Sequence, residues 1–308
     1  MKYLPMLCKK GDLSLLNDRG YIFEPKLDGT RCIAEVDNDV NLFNRRGRNI
    51  RRRYPEICEE LKKYKGFIFD GEIICYNRRG VPDFYLLQKR EHVDSDFLIK
   101  LRTKMFPATY VIFDVLEVKG KSLLDAPLEE RKDVLMKNIQ RTKHVEPIFF
   151  TGNGSKLWEE ITRRNMEGII AKRRGSKYYP GERREEWLKI KNLKNLDAIV
   201  VGYTQEKREI SSLGVALIDG SSLVYIGKVG TGFDREVMEK LLKTFKVVEK
   251  APVCNPEKAP DNMIWVKPEI VVEIEYMEVT KDRELRAPSF RRIRTDKPLK
   301  ECTLDQFA

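Results

Sequence analysis

The chain has 308 residues, enough for two domains of ordinary size, and its 59 lysines and arginines exceed its 48 acidic residues to give a formal net charge of +11. Because the basic residues are spread along the whole chain, the charge favours nucleic acid over a membrane as the partner. The six cysteines form no Cys-x-x-Cys pair, and His92 and His144 lie on separate segments. These features argue against a zinc ribbon, a disulfide framework and a histidine-based triad, and they fit a reducing cytosol. Neither a signal peptide nor an apolar run of membrane-spanning length is expected.

Residues 1–193 are predicted to form an α+β domain with antiparallel strand layers, because strands and helices alternate irregularly. The predicted strands cover 21–23, 31–44 as a pair that turns at 37–39, 67–76, 110–118, 166–173 and 187–191. The predicted helices cover 54–64, 83–90 and 127–139, and a fourth begins near residue 155. Pro55 suits the first turn of the first helix, Asp125 is the expected cap of the third, and Ser155 that of the fourth.

Residues 194–308 are predicted to form a second, smaller β domain. A polar stretch at 191–197 is interpreted as a hinge. Beyond it, strands are predicted at 199–203, 214–218, 223–229 and 270–279, with one helix at 234–245. Several short strands with a single helix are typical of a small closed barrel such as an OB fold.

The segment 24–31, with the sequence EPKLDGTR, is the most unusual part of the chain. Lys26 is expected on the connection between two strands of one sheet, with Glu24 and Asp28 on either side and Gly29 close behind. A surface lysine in a hairpin-like loop is the simpler interpretation. A lysine held at a strand end, with an acid on each side and a glycine close behind, is nevertheless unusual for a plain turn.

This segment resembles the lysine motif of the covalent nucleotidyltransferases, the superfamily of DNA ligases, RNA ligases and mRNA capping enzymes. The family pattern is Lys-x-Asp-Gly-x-Arg, and Lys26, Asp28, Gly29 and Arg31 occupy its fixed positions. The resemblance implies that Lys26 is the nucleophile that becomes covalently attached to a nucleotide. It also implies that Glu24 and Arg31 contact that nucleotide.

Two acidic motifs follow in the order that the family shows. The first is Asp70-Gly71-Glu72, inside a predicted strand, and the second runs from Glu167 to Lys172. Taken alone, the first could also be an edge-strand bulge with solvated acids. The resemblance implies that Glu72 contacts the ribose or a metal ion and that Glu167 helps to hold a divalent ion.

Several further residues match positions that the family uses to bind the nucleotide. Lys189 and Lys191 alternate on a predicted strand, so both ammonium groups face one side, where a triphosphate would offset their repulsion. A solvated basic edge strand would show the same pattern. The resemblance implies that Phe113 stacks on adenine and that Arg46 and Arg183 contact phosphate, although a buried core phenylalanine would look identical.

The last motif, Arg-x-Asp-Lys, is formed by Arg294, Asp296 and Lys297. ATP-dependent DNA ligases carry this motif on their OB domain, and the resemblance implies that Arg294 and Lys297 contact ATP. Short stretches at 5–7, 82–88, 225–233 and 288–290 resemble the ligase module of prokaryotic end-joining ligases. The replicative ligases' additional N-terminal DNA-binding domain is not expected here.

The resemblance therefore implies an ATP-dependent DNA ligase that uses ATP with Mg²⁺ or Mn²⁺. Lys26 would take AMP from ATP, pass it to a 5′-phosphate at a DNA break, and release it when a 3′-hydroxyl attacks. The implied partners are DNA with nicks or double-strand ends and a Ku-like end-binding protein. A monomer in the prokaryotic cytoplasm, associated with the nucleoid and not with a membrane, is expected.

Other functions remain open at this point. An RNA ligase, or a nick-sealing ligase acting on RNA-containing ends, shares the first five motifs. A capping enzyme would carry GMP in place of AMP. A non-catalytic, basic OB-fold protein that binds single strands would need no Lys26, Glu72 or Glu167.

Overall fold

The computed structural model describes residues 1–91, 93–206 and 209–307. The chain folds as two compact units, Met1–Asn192 and Leu193–Ala308. None of the helices in the described ranges is both long enough and apolar enough to cross a membrane. Nδ1 of His144 lies 2.8 Å from the carbonyl oxygen of Ala108, away from any histidine-based triad among the described residues. His92 lies outside the described residues.

The first unit contains two sheets with helices packed around them. Its strands are β1 (Leu7–Lys10), β2 (Tyr21–Pro25), β3 (Thr30–Val36), β4 (Val40–Asn44), β5 (Phe67–Cys75), β6 (Ala108–Val118), β7 (Lys121–Ser122), β8 (Val145–Pro147), β9 (Gly168–Arg173) and β10 (Arg183–Lys191). One sheet has the order β4-β3-β5-β6-β7, with β8 beside β6, and the other has the order β1-β10-β9-β2. Most of the pairings are antiparallel, as expected for an α+β domain.

The prediction that Lys26 connects two strands of one sheet was wrong. Strand β2, which ends at Pro25, belongs to the smaller sheet, and β3, which begins at Thr30, belongs to the larger one. The lysine segment therefore crosses from one sheet to the other. Sequence periodicity indicates strands but not their partners, which are decided by long-range pairing.

The helices of the first unit are α1 (Pro55–Leu61), α2 (Phe84–Gln88), α3 (Asp96–Met105), α4 (Leu128–Asn138) and α5 (Gly154–Arg163). Pro55 occupies the first turn of α1, as predicted. The predicted caps Asp125 and Ser155 were wrong. Asp125 pairs with Lys177 at 3.0 Å, whereas Asn153 caps α5 by accepting from the backbone amide of Lys156. Helix α3 was not predicted.

The second unit is a β domain with one long helix, as predicted. Its elements are β11 (Lys194–Glu206), β12 (Glu209–Asp219), β13 (Ser222–Val229), α6 (Arg235–Thr244), β14 (Ile264–Trp265), β15 (Val271–Tyr276), β16 (Glu278–Val279), β17 (Leu285–Arg286) and β18 (Ser289–Ile293). The main sheet has the order β13-β12-β11-β15-β18, and β14 also pairs with β11. Asp234 caps α6 by accepting from the backbone amide of Val237.

The predicted hinge at 191–197 is largely regular structure. Lys191 ends β10, and β11 begins at Lys194, so that only residues 192–193 lie between the two strands. Residues 194–197 pair with β15, and Leu196 is buried in the core of the second unit. The polar composition of this stretch hid a strand, because Lys194 and Asn195 are exposed and the buried Asp197 is compensated by its ion pair with Arg294.

Candidate active site

A cavity of about 230 Å³ in the first unit collects most of the motif residues. Its walls come from β1, β2, the lysine segment, β5, β6, β9 and β10. Of the residues predicted from sequence, the cavity is lined by Glu24, Lys26, Arg31, Glu72, Phe113, Lys172, Arg183 and Lys189. Residues up to 165 positions apart in the chain thus meet at one site, which we call the nucleotide pocket.

Lys26 is held in this pocket by both its backbone and its side chain. Its amide donates to the carbonyl oxygen of Gly168 at 2.8 Å, and its Nζ lies 2.5 Å from Oε1 of Glu167. The side chain of Lys26 is 21% exposed and that of Glu167 is 10% exposed. The amine is therefore largely shielded from solvent, open to the cavity and paired with the acid that the sequence motif singles out.

Gly29 brings the lysine segment against β5. A Cβ atom at this position would overlap the carbonyl oxygen of Ile73 and would lie 2.9 Å from Cγ of Glu72. Any side chain here would push the two segments apart. The glycine of the motif therefore serves close packing, which keeps Lys26 and Glu72 in the same cavity.

The carboxyl group of Glu72 has a strongly raised pKa. Burial raises its pKa to about 8, and the negative charges of Glu167 and Asp70 act in the same direction. Arg31 and Lys26 oppose the shift without cancelling it. A carboxyl group with a pKa this high needs an additional cation before it is fully ionised near neutral pH.

Arg31 is fixed by a fully buried acid. Its Nε and Nη2 both donate to Asp70 at 2.6 Å, and the hydroxyl of Tyr178 also donates to Asp70 at 2.6 Å. The guanidinium carbon lies 4.5 Å from the centre of the Phe113 ring. Asp70 therefore acts through Arg31, because it holds the guanidinium group against the ring of Phe113.

Glu24 lies between two buried ammonium groups. It pairs with Lys172 at 2.9 Å and with Lys132 of α4, and all three side chains are about 2% exposed. Lys132 also donates to the carbonyl oxygen of Phe113 at 2.7 Å. Burial, together with the charge of Lys172, lowers the pKa of Lys132 to about 8, although Glu24 opposes this.

Lys132 was not predicted, although the sequence carries a signal for it. Arg131 and Lys132 lie three and four positions after Leu128, and therefore on the same face of α4 as Leu128 and Leu135. Charged residues on an apolar face need buried partners. The buried partner of Arg131 is Asp114, whose Oδ1 lies 2.8 Å from Nε of Arg131.

Phe113 and Trp187 form the aromatic wall. Their rings meet edge to face with centroids 6.1 Å apart, and Nζ of Lys172 lies 3.9 Å from the centre of the Trp187 ring. Trp187 is buried, and its Nε1 has no hydrogen-bond partner among the described residues. Arg31 and Lys172 both lie against these rings, so the wall is apolar and bordered by cations.

The basic side of the pocket differs in part from the prediction. Lys189 and Arg183 line it, and burial, followed by the charges of Lys191 and Arg183, lowers the pKa of Lys189. Lys191 is outside the set of lining residues. Arg46 is exposed at the turn after β4, and its neighbour Arg45 lines the pocket instead. The sequence Arg45-Arg46-Gly47 does not by itself show which of the two arginines lines the pocket.

The last motif forms a cluster within the second unit. Arg294 pairs with Asp197 at 2.8 Å and with Asp296 at 2.9 Å, and Lys297 pairs with Glu301 at 2.9 Å. The hydrogen bonds from Arg294 lower the pKa of Asp296 to about 2, and those to Asp296 raise that of Arg294. Asp296 therefore orients Arg294 without being buried itself.

Two carboxylates of the pocket fit a divalent ion. Among the described residues, no cluster of three or more His, Cys, Asp or Glu side chains is arranged to hold a metal. Mg²⁺ is commonly held by one or two carboxylates together with substrate phosphates, however. Glu72 and Glu167 provide two such groups, close enough for the charge of one to raise the pKa of the other.

Comparisons with known proteins extend over almost the whole chain. The family model described as "ATP dependent DNA ligase domain" matches residues 5–191, and the model "ATP dependent DNA ligase C terminal region" matches residues 206–297. The chain is 29% identical over 307 residues to the multifunctional non-homologous end joining protein LigD of Mycolicibacterium smegmatis, which covers 96% of this chain and 39% of that protein. It is 30% identical to a DNA ligase of Thermococcus fumicolans, over 91% of this chain and 53% of that protein.

A solved structure is similar in fold to this chain over nearly its whole length. The structure "mycobacterial DNA ligase D complexed with ATP and MES" shares 27% identity with a TM-score of 0.57, and the match covers 98% of both chains. This confirms the predicted order of an α+β adenylation domain and an OB-like β domain. The chain spans about two fifths to half of the length of the two curated relatives named above.

Proposed function

Since the chain belongs to the ATP-dependent DNA ligases, we propose that it seals breaks between a 5′-phosphate and a 3′-hydroxyl in DNA through an AMP adduct on Lys26. Residues 1–193 act as the adenylation domain and residues 194–308 as the OB domain. The observation that carries the proposal is the position of the Lys26 amine, inside the pocket and 2.5 Å from Glu167.

In the first step, Nζ of Lys26 attacks the α-phosphorus of ATP, and pyrophosphate leaves. The ammonium group pairs with Glu167 in the free protein and must lose a proton before it can attack. Phe113 and Trp187 provide the surface for the base. The cations of Arg31, Arg45, Arg183 and Lys189 offset the charge that builds on the phosphates.

Glu72 and Glu167 would hold Mg²⁺ or Mn²⁺. When bound, the ion would supply Lewis-acid stabilisation of the transferring phosphate. The raised pKa of Glu72 supports this role, because a second cation beside it would restore its ionised form. It would also replace the Lys26 ammonium as the cation facing Glu167, so that cation binding and deprotonation of Lys26 favour each other.

In the second step, the 5′-phosphate of DNA takes AMP from Lys26. In the third, the 3′-hydroxyl attacks that phosphate and AMP leaves. Arg294 and Lys297 of the second unit orient the pyrophosphate in the first step only. The ion pairs of Arg294 with Asp296 and of Lys297 with Glu301, whose acids are 64% and 49% exposed, support a temporary role.

The test is self-adenylylation with ATP labelled at the α-phosphate. Lys26→Ala should abolish the covalent label, and Lys10→Ala, at an exposed lysine at the end of β1, should leave it unchanged. Any covalent AMP label that survives denaturing electrophoresis in Lys26→Ala would overturn the assignment. The same assay with labelled GTP separates a ligase from a capping enzyme.

The cellular role that we propose is end joining in DNA repair. Its support is the 29% identity to LigD over nearly the whole chain. A Ku-like protein would recruit the chain to DNA ends, and the chain would act as a monomer in the cytoplasm close to the nucleoid. Ligation of nicked, cohesive and blunt DNA, with and without an end-binding protein, tests this role, and a preference for nicks with no response to that protein would contradict it.

A further inference from the structure

A second cavity, of about 590 Å³, lies directly beside the nucleotide pocket. The two share Pro25, Leu27 and Ile148 as a common wall, and Pro25 and Leu27 are the residues on either side of Lys26. The residues on either side of Lys26 therefore line this second cavity, which we call the side groove. No motif considered above accounts for it.

Two guanidinium groups line the side groove, and they differ in their partners and in their exposed fractions. Arg164 donates to the carbonyl oxygen of Gly80 at 2.9 Å, which places it against the turn after β5, and it is 34% exposed. Arg141 is 78% exposed and lies 2.8 Å from Glu146. The carboxylate of Glu146 also accepts a hydrogen bond from the hydroxyl of Tyr76. Among the lining residues the two arginines outnumber the one acid, and Nε of Arg164 also lies 3.8 Å from Glu160, which does not line the groove.

Aromatic surface accompanies these cations. Phe149 follows β8 and is 63% exposed, and Tyr76, at the end of β5, is 37% exposed. Both line the side groove. An aromatic ring next to arginines offers a stacking surface for a base together with donors for a phosphate.

We propose that the side groove binds the end of the DNA strand whose 3′-hydroxyl attacks in the last step. This rests on the function proposed above. In-line displacement places the attacking oxygen opposite the leaving AMP. The adenosine of that AMP belongs at the wall of Phe113 and Trp187, which the groove does not share, so the attacking strand enters from the other side, past Pro25 and Leu27.

The experiment separates the last step from the first. A nicked duplex that already carries AMP on its 5′-phosphate needs neither ATP nor the amine of Lys26. Phe149→Ala should lower kcat/KM for sealing this substrate about tenfold, in keeping with the loss of one stacking contact, and should leave self-adenylylation within twofold of the wild type. Phe149→Trp should restore sealing. Phe97→Ala, at a phenylalanine of α3 that is 73% exposed, is the matched control and should change neither reaction.

Salt dependence tests the cationic part of the groove. If Arg164 contacts one phosphate, Arg164→Ala should reduce the slope of log KM for DNA against log salt by about 0.7 to 0.9. Arg52→Ala, at an exposed arginine paired with Asp96, should leave the slope unchanged.

Three results would overturn the proposal. They are unchanged sealing in Phe149→Ala, an equal loss of adenylylation and sealing, and a salt slope that Arg164→Ala does not alter. A failure of the proposed function would look different, because the wild-type chain would then neither form an AMP adduct nor seal the adenylated nick.

Discussion

The two units hold their charged motif residues in opposite ways. In the first unit, Glu24 and its two lysine partners are about 2% exposed, and Asp114 and Arg131 are fully buried. In the second unit, Arg294 is 17% exposed, and its partner Asp296 is 64% exposed. The ion pairs of Glu24 and Asp114 are thus part of the core, whereas the pair of Arg294 with Asp296 reaches the surface. The exposure of Lys26 (21%) and of Arg31 (17%) is similar to that of Arg294.

This difference separates what the fold needs from what only the chemistry needs. Removing one partner of a buried ion pair leaves a charge without compensation and is strongly destabilising, whereas an exposed pair contributes little. The buried ion pairs therefore fix the residues around the pocket, and substitutions in these pairs are expected to destabilise the first unit. The cluster around Arg294 can exchange partners without loss of the fold.

The largest effect on stability is expected for Arg131→Met. The variant leaves Asp114 buried without its partner, and the free energy of unfolding should fall by about 3 to 5 kcal/mol. Chemical denaturation measures it. Arg52→Met, which removes an exposed pair with Asp96, is the control and should cost about 1 kcal/mol or less. Similar losses in the two variants would contradict the contrast between buried and exposed charges.

A smaller loss is expected for Lys132→Met. Glu24 keeps Lys172 as a partner, so the carboxylate stays compensated, and the free energy of unfolding should fall by about 1 to 3 kcal/mol. Because Lys132 also holds the carbonyl of Phe113, KM for ATP should rise more than kcat for adenylylation falls. A variant with normal KM and reduced kcat would show that Lys132 does not position the pocket wall.

The pH dependence of stability tests Glu72. Its pKa is about 8 in the fold and 4.5 in the unfolded reference, so between these values the folded state binds more protons. Stability therefore falls as the pH rises from 5 to 8. Glu72→Gln should remove this contribution, of about 1 kcal/mol or more, and flatten the profile. An identical pH profile in the variant and the wild type would refute the shift.

The smallest effect on stability is expected at Asp296 and Lys297. Because both are on the surface, Asp296→Asn and Lys297→Met should unfold at the temperature of the wild type. Both should slow self-adenylylation more than the sealing of pre-adenylated DNA, since the proposed role concerns pyrophosphate. Equal losses in the two reactions would exclude that role.

Much of the site could be predicted because the residues that its chemistry requires occur in short sequence motifs. Lys26, Glu72 and Lys189 all line the pocket, as the motifs imply. Lys132 was missed because its position depends on long-range packing against Glu24, and Arg45 was missed because the resemblance marks its neighbour Arg46.

Helix α3 shows the limit of periodicity in another way. Phe97, Leu101 and Met105 are spaced for one helical face but are exposed, so the pattern of apolar residues does not describe a side buried in the core. The cap of α5 shows the same limit, because Asn153 and Ser155 are both good caps and the backbone conformation chooses between them.

By itself, the sequence determined most of the longer strands and helices, the α+β and β character of the two units, and the residue types that the chemistry requires. These properties depend on side-chain spacing over a few residues. Only the tertiary structure decided that β2 and β3 belong to different sheets, that the lysine segment crosses between them, and that a side groove opens beside it. The pairing of strands far apart in sequence, and the burial of charges that follows from it, is a property of the whole fold.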